Sequence, residues 1–94
     1  MGYAALIEVD NSAEDPEAGR RGLRDELLPV LQTMPGFESA VLMTAYERGR
    51  GVAVVVFDTL EHASALTAGV TVGQPLRPGV SVTRVEVLEV AARS

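Results

Sequence analysis

The sequence contains no cysteine, no tryptophan and no lysine, and its one histidine is His62. Without cysteine the chain forms no disulfide and offers no thiolate as a nucleophile or metal ligand. The absence of lysine excludes Schiff-base chemistry and a P-loop. A single histidine without cysteine leaves no complete set of metal ligands, so the sequence predicts that no metal and no cofactor is used.

Positive charge is also scarce. The eight basic residues are all arginine and face 13 acidic ones, which gives a net charge of −5. Since nucleic-acid affinity comes largely from cations that neutralise phosphates, nucleic acid is not an expected partner. No apolar run is long enough to span a bilayer, and residues 1–10 lack the basic start of a secretory signal. We therefore expect a cytoplasmic protein with no membrane partner.

The order of secondary structure is predicted to be βαββαβ over a single domain, residues 1–94. Asp15 and Pro16 begin a helix that continues to Met34, with Pro29 expected to kink it. A second helix begins at a capping box, Asp58-Thr59-Leu60-Glu61, and a loop covers 69–79. The predicted strands are 3–9, 37–46, 52–57 and 80–90. Right-handed crossovers place these four strands antiparallel in the order 4-1-3-2, with both helices on one face, as a ferredoxin-like α+β sandwich.

The sheet face that the helices leave open lacks the polar alternation of a solvated surface. Residues 52–57 read VAVVVF, and residues 3–7 are apolar in both phases. Soluble monomers seldom expose such a patch, so we expect a two-fold homodimer through the open sheet face. The last strand, longer than the first, is expected to overhang its own sheet and lie against the partner. The alternative is that the loop 69–79 covers this face.

With this element order at this length, the chain resembles the dimeric α/β-barrel superfamily, and within it small proteins similar to antibiotic-biosynthesis monooxygenases. The resemblance includes Met34-Pro35-Gly36-Phe37 after the first helix, the strand 40–46, and the strand 52–57 leading into Asp58-Thr59-Leu60-Glu61-His62-Ala63. It implies ligand binding between sheet and helices, and activities such as cofactor-independent oxygenation of aromatic compounds. The haem-degrading branch uses a tryptophan that this chain lacks and a histidine late in the second helix, whereas His62 is early.

Five residues are candidates for a ligand pocket: Arg84, Tyr46, Glu8, Glu86 and His62. Arg84 and Glu86 interrupt an apolar phase of the last strand, and Glu8 lies on the neighbouring strand; together they offer sites for an acidic or phenolic ligand. A β-bulge at Thr83-Arg84 is the competing explanation. Near Asp58 and Glu61, His62 is either a general base or an exposed first-turn residue beside helix-capping acids.

Two functions remain open from the sequence. One is a cofactor-independent, monooxygenase-like enzyme that binds an apolar aromatic molecule between sheet and helices, with Tyr46 and Arg84 as pocket residues. The other is a non-catalytic dimer that binds a ligand or a partner. An enclosed pocket with convergent polar groups favours the first function, and a filled core favours the second.

Overall fold

A computed structural model describes residues 2–94 as one five-stranded sheet, with helices against one of its faces. All strand pairs are antiparallel, and the strand order is β2-β3-β1-β5-β4. The strands are β1 (Tyr3–Asp10), β2 (Phe37–Ala45), β3 (Arg50–Phe57), β4 (Pro75–Arg77) and β5 (Val80–Glu89).

Two helical segments connect the strands. The first runs without a break through α1 (Pro16–Gly22), a π-helical turn (Leu23–Leu27) and α2 (Leu28–Gln32), and the second is α3 (Leu60–Ala68). A short 3₁₀ turn (Tyr46–Arg48) joins β2 to β3. Within residues 2–94, no helix has the length and apolar character needed to span a membrane.

The two helix starts differ in how well the sequence predicted them. Asp15 caps α1 as expected, because its Oδ2 accepts the Ala18 N–H at 3.0 Å. At α3, however, Thr59 is the N-cap, and its hydroxyl accepts the His62 N–H at 3.1 Å. The capping box predicted from Asp58 to Glu61 is therefore wrong by one residue, and the Asp58 carboxylate is free for another partner.

Pro29 is accommodated by the π-helical turn that precedes it. A proline ring collides with the carbonyl four residues earlier and provides no N–H for it. The wider π-helical turn accommodates the proline, and in it the Leu28 N–H donates to the Leu23 carbonyl five residues before it. The expected disturbance at Pro29 thus takes the form of a local widening of the helix.

The four-stranded sheet predicted from the sequence is wrong in strand number, while the α+β class with an antiparallel sheet and two helical segments is confirmed. The fifth strand, β4, lies inside the predicted loop 69–79 and pairs with the start of β5. Gly79 has φ +84°, a conformation that side chains rarely adopt, and it turns the chain back on itself. The Val82 N–H then donates to the Gln74 carbonyl at 2.9 Å and extends the pairing.

The core lies between the sheet and the helices. Ala5, Val55 and Phe57 from the sheet pack with Leu31 of α2 and Ala63 of α3, and all are buried. Because side chains alternate along a strand, the odd-numbered residues of β1 face the helices and the even-numbered ones face away. We call the second surface, which no helix covers, the open face.

Part of the way along strand β5, the alternation of its side chains between the two faces of the sheet is shifted by one residue. Opposite Glu8 and Val9 of β1 the strand presents Arg84 and Val82, so Thr83 is the extra residue of a bulge. Val80 and Val82 are consequently buried on the helix side, whereas Arg84 and Glu86 share the open face and form an ion pair. The bulge considered for this strand is therefore present, and Arg84 and Glu86 are paired with each other on the open face.

The predicted overhang of the last strand is wrong. β5 is paired with β1 from Ser81 to Glu89, so no part of it extends beyond its own sheet. Beyond β5, the Val90 N–H donates to the Gly2 carbonyl at 2.9 Å. Arg93 then reaches Glu38 of β2 at 3.0 Å, which requires the tail to cross the ends of β1 and β3.

Candidate ligand cavity

A cavity of about 150 Å³ lies between the helix-facing side of the sheet and the helices. Its wall is mainly aliphatic. The sheet contributes Ile7, Val9, Leu42, Ala53 and Val55, and the helices contribute Leu23, Leu27, Leu31 and Leu66. The π-helical turn contains two of these leucines, so the irregular part of the first helical segment also forms the wall of the cavity.

One end of the cavity is polar and centres on Glu14, whose side chain is only 9% exposed. Arg77 donates to both carboxylate oxygens, from Nε at 2.5 Å and from Nη2 at 3.2 Å. The Tyr46 hydroxyl donates to Glu14 Oε1 at 3.1 Å. This buried carboxylate is thus neutralised by a bidentate arginine and also receives a phenol hydrogen bond.

Helix α1 packs closely against this polar end of the cavity because residue 19 is glycine. A Cβ on Gly19 would collide with Tyr46 Oη and Glu14 Oε1. The guanidinium of Arg20, next along α1, lies 5.2 Å from the centre of the Tyr46 ring. Glycine weakens the interior of a helix, but at position 19 it is required by close packing against the Tyr46–Glu14 pair.

Asn11 also lines the cavity and is 2% exposed. Its backbone N–H donates to the Gly49 carbonyl at 3.1 Å, and its Nδ2 donates to the Arg50 carbonyl at 3.1 Å. Its Oδ1, in contrast, is buried without a hydrogen-bond partner among residues 2–94. A buried acceptor left unpaired is costly, so this atom marks a place where a donor is missing.

The Tyr46 phenol should titrate abnormally. Burial is the main cause that raises its pKa above the ordinary 10.0, and the hydrogen bond and charge of Glu14 add to the shift. The folded chain holds this proton to a higher pH than the unfolded chain does. The contribution of the protonated phenol to the stability of the fold is therefore complete below about pH 10, and it is lost as the pH rises through the folded pKa.

We expect the 295 nm absorbance titration to show a late phenolate step that is absent in Tyr46→Phe. In Glu14→Gln that step should move to lower pH; an unmoved step would contradict the role given to Glu14.

The structure separates the five candidate residues into three places. Tyr46 lines the cavity. Arg84, Glu86 and Glu8 lie on the open face, where Glu8 pairs with Arg50 at 2.7 Å. These three side chains therefore do not share a pocket with Tyr46, and their binding of a ligand stays a prediction for the other face of the sheet.

His62 lies on the first turn of α3, apart from the cavity. Its Nδ1 is 2.6 Å from Asp58 Oδ1, and both side chains are partly exposed. This hydrogen bond lowers the pKa of Asp58. Gly36, at φ +79°, passes so close that a Cβ there would collide with both partners. Across residues 2–94, no three His, Asp or Glu side chains are grouped as a metal site.

Sequence reasoning missed Asn11, Glu14 and Arg77. Asn11 continues the helix-facing phase of β1 after Ala5, Ile7 and Val9, and this signal pointed to a buried amide. Glu14 and Arg77 had no such signal, because the pair joins residues 63 positions apart.

No protein-family model, no curated protein and no solved structure matches this chain. The resemblance to the dimeric α/β-barrel superfamily accordingly stays a prediction, and function is inferred from the site alone.

Proposed function

We propose that this protein binds a small, single-ring aromatic molecule in the cavity between sheet and helices. The observation that carries the proposal is an aliphatic cavity of about 150 Å³ that ends in buried polar groups. An apolar cavity of roughly 150 Å³ holds benzene, whereas drug-sized ligands occupy about 300–1,000 Å³. The available volume supports one ring with small substituents and argues against a fused polycyclic substrate.

Toluene is a suitable first probe because it tests the apolar wall alone. With seven heavy atoms, each worth roughly 0.6–0.8 kcal/mol within the range for small ligands, its expected Kd is on the order of 0.1–1 mM. Titration followed by ¹H–¹³C NMR should shift the methyl signals of the lining leucines and leave those of Val41 and Val54 on the open face unchanged. An absence of cavity shifts at saturating toluene would contradict the proposal.

A matched pair of substitutions separates cavity binding from nonspecific binding. Ala53→Leu places a larger side chain in the cavity wall and should weaken toluene binding at least tenfold. Ala65→Leu makes the same change at an exposed position of α3 and should leave the affinity unchanged. Equal affinity in both variants would indicate that toluene binds elsewhere.

Oxygenation of a bound phenol is a second candidate function, supported by Glu14, the one carboxylate among the cavity-lining residues. In this reaction a phenol loses two hydrogens, one from its hydroxyl group and one from its para carbon. The para carbon gains one oxygen atom from O₂. The products are a quinone and water, so no external reductant is required. An oxygen electrode should record one O₂ per phenol without release of H₂O₂, and Glu14→Gln should abolish the uptake. Binding without uptake would leave the simpler binding function.

We further propose that the protein is a ferredoxin-like homodimer joined through its open face. Val41 and Met43 of β2 are 54% and 46% exposed there. Leu6 and Val54 lie beside them across the strands and continue the apolar surface. A stable interface on this face would bury about 1,200–2,000 Å² in total. The charged cluster of Glu8, Arg50, Arg84 and Glu86 would then lie within or beside the contact.

A further inference from the structure

We infer that the ligand of the cavity is a neutral molecule that donates one hydrogen bond, from an O–H or N–H group, to Oδ1 of Asn11. This inference rests on the proposed binding function and specifies the chemistry of the ligand. It starts from the unpartnered Oδ1 of a side chain that is 98% removed from solvent, since Asn11 is 2% exposed.

The identity of the free atom follows from its neighbours. The amide atom that lies 3.1 Å from the Arg50 carbonyl must be the nitrogen, because two acceptors would repel each other. The Asn11 backbone is fixed as well, since its carbonyl accepts the Glu14 N–H at 3.0 Å. The free atom is therefore an acceptor held in place on a residue that lines the cavity, and it requires a donor.

The remaining polar groups disfavour a charged ligand. Both oxygens of Glu14 already accept from Arg77, and the Tyr46 hydroxyl donates to the same carboxylate. A carboxylate ligand would have to separate Arg77 from Glu14, and an ammonium ligand would compete with Arg77 for it. Neutral phenol, aniline or pyrrole satisfies Asn11 without disturbing this pair.

The test compares phenol, toluene and benzoate as NMR titrants of the full chain. Donation to Asn11 should make phenol bind about five- to tenfold more tightly than it does in Asn11→Leu, whereas toluene should not lose affinity in that variant. Benzoate should bind at least tenfold more weakly than phenol. Gln32→Leu, which also replaces a side-chain amide by leucine but at an exposed position of α2, should retain the wild-type preference.

Each outcome has a distinct meaning. If neither toluene nor phenol binds, the proposed function fails together with this inference. If both bind and Asn11→Leu leaves the phenol-to-toluene ratio unchanged, only the inference fails, and a water molecule is the better partner for Oδ1. Tighter binding of benzoate than of phenol would overturn the requirement for a neutral ligand. Should Asn11→Leu not fold, anisole replaces the variant: it keeps the ring and oxygen of phenol but has no O–H, so affinity equal to that of phenol would overturn the inference.

Discussion

Val55→Asp is expected to abolish folding. Val55 is 1% exposed and packs in the core against the helices. An aspartate there would place a carboxylate without a cationic partner among aliphatic side chains. Leaving a charge buried and unpaired costs at least about 3–5 kcal/mol, a large part of the 5–15 kcal/mol that stabilises a typical domain. Far-ultraviolet circular dichroism should show the loss of the cooperative thermal transition.

Val54→Asp makes the same change one residue earlier, on the opposite face of the sheet. Val54 is partly exposed and lies opposite Leu6 and Val41 on the open face. The variant is expected to keep its cooperative unfolding transition and to lose dimerisation. Sedimentation at micromolar concentration should give a mass near 9.9 kDa, against about twice that mass for the wild type.

The two variants together test which face of β3 is the core and which is the interface. A folded Val55→Asp protein would contradict the assignment of the core. A wild-type protein that sediments as a 9.9 kDa monomer would refute the dimer, whatever the behaviour of Val54→Asp.

Arg77→Met is the second substitution with a large expected effect. It leaves the Glu14 carboxylate, with its side chain 9% exposed, with only the Tyr46 hydroxyl as a side-chain donor. Removing one partner of a buried ion pair costs about 3–5 kcal/mol, and we expect roughly 2–3 kcal/mol because Arg77 is itself 32% exposed. Chemical denaturation should record this loss as a lower midpoint with an unchanged slope.

The double variant Glu14→Gln/Arg77→Met provides the control. It removes both charges, so no carboxylate is left unpaired, and it should recover more than half of the stability lost in Arg77→Met. A double variant as unstable as the sum of the two single variants would mean that the ion pair contributes nothing by its pairing.

The main elements of the fold were predictable because local patterns specify them. Alternating or continuous apolar residues marked the four longer strands, and Asp15-Pro16 marked the first helix. The short strand β4 was not predictable: its three residues include a proline, and it exists only because the turn at Gly79 places it beside β5. The same dependence on distant contacts explains the helix cap at Thr59. There the Asp58 carboxylate is hydrogen-bonded to His62 instead of capping the helix, and it packs against Gly36.

The site was less predictable than the fold. Tyr46 was proposed as a pocket residue from the family resemblance, but the acid and the arginine that define its surroundings come from the β1–α1 connection and from β4. Hydrogen-bonding groups brought together by tertiary structure have no spacing in the sequence. An arginine in a glycine- and proline-rich segment therefore had the sequence context of a solvent-exposed loop residue.

The bulge at Thr83 also determines which changes in length strand β5 tolerates. Val82 and Arg84 already lie opposite consecutive residues of β1. Deletion of Thr83 would therefore leave a regular strand in which all the remaining side chains keep the sheet face on which they lie. An insertion or deletion of one residue between Arg84 and Glu89 would instead exchange the two faces for the part of the strand beyond it. The chain thus has one position in β5 where its length is free to vary by a residue, and on both sides of that position the strand contributes side chains to the helix-facing side, Val82 before it and Val87 after it.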